Sequence, residues 1–322
     1  MRRREFVMLA ASGVAILPLA ALAQTNKPRR IAFVHSGIPA DRLTETGGTF
    51  WIKRFYEELR RLGAIEGVNL VVERYSAGGS SSRFASLAAE VVSSKPDVII
   101  CNNNVLVKAF MAATAAIPIV AIMGDPLADG LVSNLARPGG NLTGVSIVAG
   151  PGIAAKRLQL LKEAIPESTR FMFLLQSQAE QERSGLTLPV KLFAEVNEAQ
   201  FRSAFAELAE QHVEAVLISD GGSFLANRAV IIELAAKYRL PLIYPYRDYA
   251  EQGGLIAYGP DLGELAARMA GDVHQIFNGT KPGDIPVYQP SKFELVINLK
   301  TANTLGLTIP PLLLAQADEV IE

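Results

Sequence analysis

Three consecutive amides, Asn102, Asn103 and Asn104, follow the apolar run "VIIC" of the 322-residue sequence. An asparagine side chain is both a donor and an acceptor, and a helix beginning at about Val105 would present free backbone N–H groups and a positive dipole end. A carboxylate fits such a place. Two structural roles compete with ligand binding, a helix N-cap at Asn104 and a turn closed by Asn102. Because one N-cap accounts for one amide, we predict that at least one of the three contacts a ligand.

Other apolar runs of the sequence also end in polar or aromatic residues. These residues are His35, Ser36, Asp125, Asp220, Tyr244, Tyr246 and Arg247. Ligands of open parallel sheets bind outside the carboxyl ends of the strands. We therefore expect these residues and the three asparagines to surround one cleft.

Each of these side chains suits a small polar ligand and also has an ordinary structural role. Asp125 and Asp220 could pair with a ligand ammonium or cap the helices that follow them. Arg247 could bind a carboxylate through its guanidinium fork or lie exposed on a lobe surface. Tyr244 and Tyr246 could stack on an aromatic ligand, and we expect one of the two in the core.

The sequence contains no recognisable catalytic or metal-binding pattern. Its histidines are His35, His212 and His274, and only the first follows an apolar run. G-x-S-x-G, a P-loop, a strand-linked G-x-G-x-x-G and Cys or His pairs at metal spacing are missing. We therefore expect no catalytic residue, metal or cofactor. An exported α/β hydrolase-like enzyme acting on a small metabolite is the alternative.

The elements that must position these residues occur twice along the chain. The run "RRIAFVHS" matches "TRFMFLLQS", residues 69–102 match residues 188–220 as strand, helix and strand, and "AAIPIVAIMGD" matches "YRLPLIYPYRD". Strands that alternate with helices form parallel sheets covered on both faces. The predicted fold class is α/β, with two doubly wound parallel-sheet lobes joined by hinge strands.

Local patterns place helices between these strands. Phe84, Leu87, Ala88 and Val91 keep the spacing of one buried helical stripe. Residues 80–82, all serine, and Asn197 stand where N-caps belong.

The lobe boundaries are predicted from a Pro-Gly-Gly stretch and from a segment that has no counterpart in the second copy. "RPGGNLTGVS" marks the first passage between lobes. The strand and helix within residues 253–284 have no counterpart in the second copy, so we predict that they return to the first lobe. The predicted first lobe comprises residues 28–143 and 259–284, and the second comprises residues 144–258 and 285–322.

The N-terminus predicts export. Residues 1–23 combine a basic head, an apolar run and the small-x-small ending of Ala21 to Ala23, as in a bacterial signal peptide cleaved after Ala23. Arg3 and Arg4 also fit a twin-arginine signal, and an uncleaved anchor is the alternative. We expect a periplasmic protein.

The composition of the chain limits the classes of partner and the covalent links that we expect. The chain is 49% hydrophobic and 20% charged, with a formal net charge of −1 and no basic stripe, so we expect no nucleic-acid partner. Cys101 is the only cysteine of the sequence, which excludes an internal disulfide. A free cysteine is usually a core residue, and we predict that Cys101 is buried.

Several longer stretches resemble the periplasmic substrate-binding proteins of ABC importers, which have the type I two-lobe fold. They are "ELRRLGAIEGVNLVVE", "LARPGGNLTGVS", "YGPDL", "QPSKFELVINLKTANTLGLTIP" and "ADEVIE". The resemblance covers residues 28–322 and is specific to a branch with tryptophan- and phenylalanine-binding members. It implies a non-enzymatic receptor that closes on a small ligand, such as an amino acid, and docks on an inner-membrane ABC permease. We expect a monomer.

Tyr258 is a further candidate that rests partly on this resemblance. It precedes Gly259 and Pro260, where we predict that the chain changes lobe. In the resembling proteins this crossing commonly contributes a ligand contact, so we expect Tyr258 at the floor of the cleft.

The sequence departs from the family pattern at one place. Only "SQAEQERSGLT" separates the runs "FMFLLQ" and "LPVKLF", where family members generally have a full crossover helix. We therefore expect a shortened crossover beside the opening strand of the second lobe.

Overall fold

The computed structural model describes residues 27–148 and 152–322, and within them the chain forms two sheets. The predicted signal segment, residues 1–23, lies outside the described residues. In the first sheet all neighbouring strands run parallel in the order β2-β1-β3-β4-β5. Its strands are β1 (Arg29–His35), β2 (Leu70–Ser76), β3 (Val98–Asn102), β4 (Ile119–Met123) and β5 (Leu142–Ser146).

The second sheet has the strand order β12-β11-β10-β9-β8-β6-β7. Its strands are β6 (Phe171–Leu175), β7 (Val190–Leu192), β8 (Ala215–Ile218), β9 (Leu242–Tyr244), β10 (Ile256–Pro260), β11 (Phe293–Asn298) and β12 (Glu319–Ile321). Neighbouring strands are parallel except β10 and β11, which are antiparallel. The predicted two-lobe α/β fold with two parallel sheets is confirmed, with this one antiparallel pair as a departure.

Helices cover both sheets. Those of the first lobe are α1 (Phe50–Arg61), α2 (Phe84–Ser94), α3 (Asn104–Ala113) and α10 (Leu262–Phe277). Those of the second lobe are α4 (Ile153–Ala164), α5 (Gln178–Ser184), α6 (Glu198–Glu210), α7 (Gly222–Ala226), α8 (Arg228–Lys237), α9 (Arg247–Glu251), α11 (Leu299–Leu305) and α12 (Pro311–Leu314). Each lobe buries apolar residues on one face of its sheet, and a further buried cluster continues from one lobe to the other.

Helix α2 shows how the apolar spacing produces the packing. Its buried residues are Phe84, Leu87, Ala88 and Val91, the four that form the predicted stripe. Cys101 lies in β3 and is 2% exposed, so its predicted burial is also confirmed.

The predicted helix caps are half right. The Asn197 side chain accepts a hydrogen bond from the backbone N–H of Gln200 at 3.0 Å, which confirms it as the N-cap of α6. The serine caps are wrong, because residues 81–83 form a 3-10 turn and Arg83 takes the N-cap position of α2 without a side-chain bond. A 3-10 turn satisfies the first N–H groups of the segment through the backbone instead.

The chain passes between the lobes at three places within this architecture: between β5 and α4, between β10 and α10, and between Tyr288 and β11. Before the last passage, residues 285–288 still bond to the first lobe, where the Tyr288 N–H donates to the Gly144 carbonyl at 2.9 Å. Helix α10 packs on α1 and β5 of the first lobe, whereas β10 stands inside the second sheet.

The crossover between β6 and β7 is short, as the sequence predicts. It contains α5, which has 7 residues, and it ends at β7, which has 3 residues and lies at the sheet edge. Ser177 caps α5 by accepting a hydrogen bond from the Glu180 N–H. The carboxyl end of β6 is therefore followed at once by charged side chains of α5.

Helix α10 buries a carboxylate in its apolar face. Asp272 is 0% exposed, and neither carboxylate oxygen has a hydrogen-bond partner among the described residues. The nearest cation is Arg268, whose Nε lies 3.7 Å from Oδ1. Burial raises the pKa of Asp272 to about 7, against an ordinary value of 3.8, and Arg268 offsets only part of this rise.

We predict that Asp272→Asn stabilises the protein at pH 8 and not at pH 4. Because the folded-state pKa is raised, the native carboxyl holds its proton more tightly than the unfolded one, and stability is lost as pH rises from about 4 to about 7. The amide removes this loss, so the free energy of unfolding at pH 8 should increase by about 2 to 4 kcal/mol at 1.36 kcal/mol per pKa unit. Urea unfolding at both pH values measures it.

The exposed Asp284→Asn is the matched control and should change stability little at either pH. An equal effect of Asp272→Asn at pH 4 and pH 8 would show that Asp272 is ionised at no cost in the native state.

Candidate functional site

Both sheets reverse their strand order at a point that faces the space between the lobes. In the first sheet β1 lies between β2 and β3, and in the second β6 lies between β7 and β8. At such a switch point the connections leave in opposite directions, which opens a crevice at the carboxyl ends of the strands. The tips of β1 and β3 in one lobe and of β6 and β8 in the other therefore define the candidate site.

A cavity of about 200 Å³ lies between these tips. Seven of the residues predicted from the sequence line it: His35, Asn102, Asn103, Asn104, Asp125, Asp220 and Tyr246. Ser36, Arg247 and Tyr258 are not among its lining residues. The structure thus brings together predicted residues from both lobes.

All three asparagines are held by hydrogen bonds within the first lobe. Asn102 joins β3 to β1, since its Oδ1 accepts from the Ser36 N–H at 2.8 Å and its Nδ2 donates to Ser36 Oγ at 3.0 Å. Asn104 Oδ1 accepts from the Gly124 N–H at 2.8 Å, and its Nδ2 donates to Asp129. Ser36 therefore lies behind the cavity, where it positions Asn102.

Asn103, and not Asn104, is the N-cap of α3. Its Oδ1 accepts from the N–H groups of Val105 and Leu106 at 2.9 and 3.3 Å, and its φ is +73°. These N–H groups, which could otherwise bind a ligand carboxylate, are therefore already bonded. The Nδ2 of Asn103 has no partner among the described residues and remains available to a ligand acceptor.

His35 is a neutral donor at the tip of β1. Its ring is 8% exposed, and Nδ1 accepts from the N–H groups of Gly37 and Ile38 at 3.0 and 2.8 Å. Burial, with a smaller contribution from the nearby Arg228, lowers the pKa of His35 to about 3. Because Nδ1 accepts, we assign the ring proton to Nε2.

The carboxylates at the strand tips come from both lobes. Asp125 Oδ1 accepts from the N–H groups of Leu127 and Ala128 at 3.1 and 2.9 Å and so closes the turn after β4. Asp220 does not cap the following helix, because Gly221 takes the N-cap position of α7. Its Oδ2 lies 3.8 Å from a guanidinium nitrogen of Arg157.

Two aromatic side chains face the cavity from opposite lobes. Trp51, in α1, is 5% exposed and lies 6.1 Å from the His35 ring, centroid to centroid. Tyr246 is 2% exposed and donates its hydroxyl to the Asp220 carbonyl at 2.8 Å. Tyr244 is the expected core tyrosine, stacked on Tyr249 at 4.7 Å.

Arg247 stands outside the cavity, in contrast to its predicted place. It forms ion pairs with Glu251, Glu294 and Glu319 of the second lobe. Its guanidinium also lies 5.1 Å from the ring centroid of Phe50, in α1 of the first lobe. Three carboxylates already saturate the guanidinium fork, so Arg247 connects elements near the hinge instead of presenting a free cation to the cleft.

Tyr258 also stands apart from the cavity lining. Its half-buried ring packs near Phe293, 6.1 Å away. Its main-chain carbonyl accepts a hydrogen bond from Arg157 Nε at 2.8 Å. The contribution of Tyr258 to the cleft is therefore through its backbone, by positioning an arginine.

Sequence reasoning missed the charged residues of the short crossover. Glu180 and Arg183, in α5, both line the cavity. Glu180 Oε2 accepts from the Gln176 N–H at 2.9 Å and from Ser219 Oγ at 3.0 Å. Burial raises the pKa of Glu180, and the neighbouring Asp220 adds to the rise.

Carboxylates outnumber cations around the cavity. Asp125, Asp129, Glu180 and Asp220 line it, with Arg183 as the only lining arginine or lysine among the described residues. An ammonium group would be attracted to this side of the cleft. No group of three metal-ligating residues is brought together in residues 27–148 and 152–322.

Comparison with known families and structures adds to this geometry. A family model described as ABC transporter substrate binding protein matches residues 51–321. The tyrosine-binding protein of Clostridioides difficile (strain R20291) is 22% identical over 267 residues, which are 79% of this chain and 76% of that protein.

Two solved structures share the fold over nearly the whole chain. A conserved domain protein of Vibrio cholerae has 25% identity and a TM-score of 0.79, with 91% of this chain and 100% of that chain covered. The ABC domain from Streptococcus pneumoniae in complex with L-Trp has 22% identity and a TM-score of 0.76, with the same coverage. Across the part of this chain that the structure describes, no helix is long and apolar enough to span a bilayer.

We predict that two substitutions at Asn103 differ in their effect on stability. Alanine loses the cap and is strained at a φ of +73°, so it should lower the free energy of unfolding by about 1 to 3 kcal/mol. Glycine loses the same cap but adopts positive φ freely, so its loss should stay below about 1 kcal/mol. Urea unfolding of the two variants measures the difference, and equal losses would contradict the role of the backbone conformation.

Proposed function

The chain belongs to the ABC transporter substrate-binding protein family, and from this premise we propose that it binds an aromatic amino acid in the cleft between its lobes and delivers it to an inner-membrane permease. The family role is that of the solute-binding component of an ABC importer, which is not enzymatic. The hydrolase-like alternative is therefore wrong.

The observation that carries the proposal is the composition of the cavity on its two sides. The first lobe contributes amides and a neutral imidazole, and the second contributes Asp220 beside Tyr246. A ligand that fills this space touches both lobes at once. Such a ligand binds the closed arrangement better than the open one and shifts the population towards closure.

An ammonium group on the ligand accounts for the excess of carboxylates. Asp125 keeps Oδ2 free of hydrogen bonds to the described residues, and Asp220 has Arg157 as its only ion-pair partner there, at 3.8 Å. Both carboxylates can therefore accept additional charge-assisted hydrogen bonds. A cation placed between them would be bonded by both lobes.

A flat apolar group on the ligand accounts for the aromatic walls. The Trp51 and Tyr246 side chains are almost fully buried and line the cavity from different lobes. Aromatic groups pack against each other at centroid distances of roughly 4.5–7 Å, so one ring fits between two such walls. His35 Nε2 and Asn103 Nδ2 remain as donors for a polar end of that ring.

The named relatives support the same ligand class. One is a tyrosine-binding protein, and one solved structure holds L-Trp. We propose the periplasm as the compartment, following the signal-like residues 1–23, and a monomer that docks on its permease.

A thermal-shift panel of the 20 amino acids on the mature protein tests the ligand class. We expect L-tyrosine, L-tryptophan or L-phenylalanine to raise the melting temperature, because a ligand at 100 times its dissociation constant adds about 2.7 kcal/mol to the free energy of unfolding. Stabilisation by non-aromatic amino acids alone would contradict the proposal.

Asp220→Asn tests the ammonium contact. We expect the affinity for the amino acid that the panel identifies to fall by about 10- to 100-fold, because a hydrogen-bonded pair of opposite charges is replaced by a hydrogen bond from the ammonium to a neutral amide. Calorimetric titration measures the change, with the exposed Asp284→Asn as the matched control. An unchanged affinity in Asp220→Asn would place the ammonium elsewhere.

A further inference from the structure

A second cavity, of about 390 Å³, continues the cleft towards α4. The two cavities share Asp125, Val148, Glu180, Arg183 and Asp220 as lining residues, so they meet at the carboxylates. The first cavity alone is smaller than the roughly 300–1,000 Å³ of typical small-molecule sites, whereas the two together fall within that range. The ligand site therefore extends beyond the predicted strand tips.

A buried arginine lines this second cavity. Arg157 is 2% exposed, and its Nε donates to the Tyr258 carbonyl at 2.8 Å. The remaining N–H groups of its guanidinium have no hydrogen-bond partner among the described residues. Its one ion-pair contact there is with Asp220, at 3.8 Å, which is too long for a hydrogen bond.

A guanidinium in this state is incompletely paired. Arginine carries five N–H donors, and burying a charge is costly unless it is paired and hydrogen-bonded. The bond from Nε to Tyr258 fixes the orientation of the group, which leaves the two terminal nitrogens for an acceptor in the cavity. A carboxylate matches them because its two oxygens can accept two parallel hydrogen bonds.

The expected alternative place for a ligand carboxylate is already occupied. The N–H groups of Val105 and Leu106 at the start of α3 bond to Asn103, as described above. Ligand anions must therefore find donors elsewhere in the cleft. Arg183 also lines both cavities, but its side chain is exposed and lies on a seven-residue helix, so binding would have to order it first.

We propose that Arg157 is the carboxylate anchor of the cleft and that Asp220 beside it receives the ammonium of the same ligand. This inference rests on the proposed function and specifies how the ligand is oriented. The carboxylate and amino group of an α-amino acid are attached to one carbon, which suits two opposite charges 3.8 Å apart. The ligand side chain then extends into the first cavity, between Trp51 and Tyr246.

Matched ligands that differ only in charge test the anchor. Calorimetry should compare L-tyrosine with L-tyrosinamide, and L-tryptophan with L-tryptophanamide. The two amides keep the ammonium and the ring of the acids but have a neutral amide in place of the carboxylate. We expect the parent protein to prefer the acids by about 10-fold or more, as for loss of a charge-assisted pair. Equal binding of acid and amide by the parent would overturn the proposal.

Arg157→Gln should abolish this preference. The affinity for the acids should fall, and the affinity for the amides should stay within about 3-fold of the parent value, because only the acids have a carboxylate that pairs with Arg157. Arg157→Lys, which keeps the charge without the fork, should retain part of the preference and serves as the second variant if the glutamine variant fails to fold. Exposed Arg202→Gln is the control for loss of one positive charge and should bind as the parent does.

Two outcomes separate this inference from the proposed function. If the acids bind and Arg157→Gln keeps the full preference while Arg183→Gln loses it, the anchor is Arg183 and the proposal is wrong. If none of tyrosine, tryptophan and phenylalanine binds, the proposed ligand class fails, and sodium acetate against sodium chloride at equal ionic strength tests the anchor alone. If acetate stabilises the parent saturably and does not stabilise Arg157→Gln, the result supports Arg157 as the anchor. If acetate stabilises neither protein, the proposal is overturned.

Discussion

The passages of the chain between the lobes determine where a ligand can bind. Between β5 and α4, between β10 and α10, and between Tyr288 and β11 the backbone crosses from one sheet to the other. These crossings hold the carboxyl ends of both sheets towards a common cleft, so the polar tips of strands far apart in sequence become neighbours. Because α10 packs on the first lobe while β10 belongs to the second sheet, any closure of the lobes would have to bend these connections.

This arrangement also determines the electrostatics of the cleft. Asp125 from one lobe and Asp220 from the other are held by strand tips, and Arg157 reaches the same region from α4 through its bond to the Tyr258 carbonyl. The neutral imidazole of His35 adds a donor without adding charge. Opposite charges that are each incompletely paired suit a zwitterion, which neutralises both at once.

Much of the fold could be predicted from the sequence, because apolar runs and the stripe of α2 report burial directly. The cleft was predicted only in part. Asp220 and Tyr246 follow strands and were found, whereas Arg247 follows a strand equally well and is drawn away by carboxylates on β11 and β12, which no local pattern reveals. The sequence contains only a weak indication of Arg157. This charged residue occupies a position in the helical spacing of the buried residues of α4, where an apolar residue is usual.

The central claim, that one ligand is bound by both lobes, is tested most directly by small-angle X-ray scattering of the mature protein with and without an amino acid that calorimetry shows to be saturating. A ligand that contacts the strand tips of both sheets stabilises the closed arrangement, so we predict a smaller radius of gyration in its presence. An unchanged radius with the ligand bound would contradict the account, because it would mean that a single lobe holds the ligand in a rigid pocket.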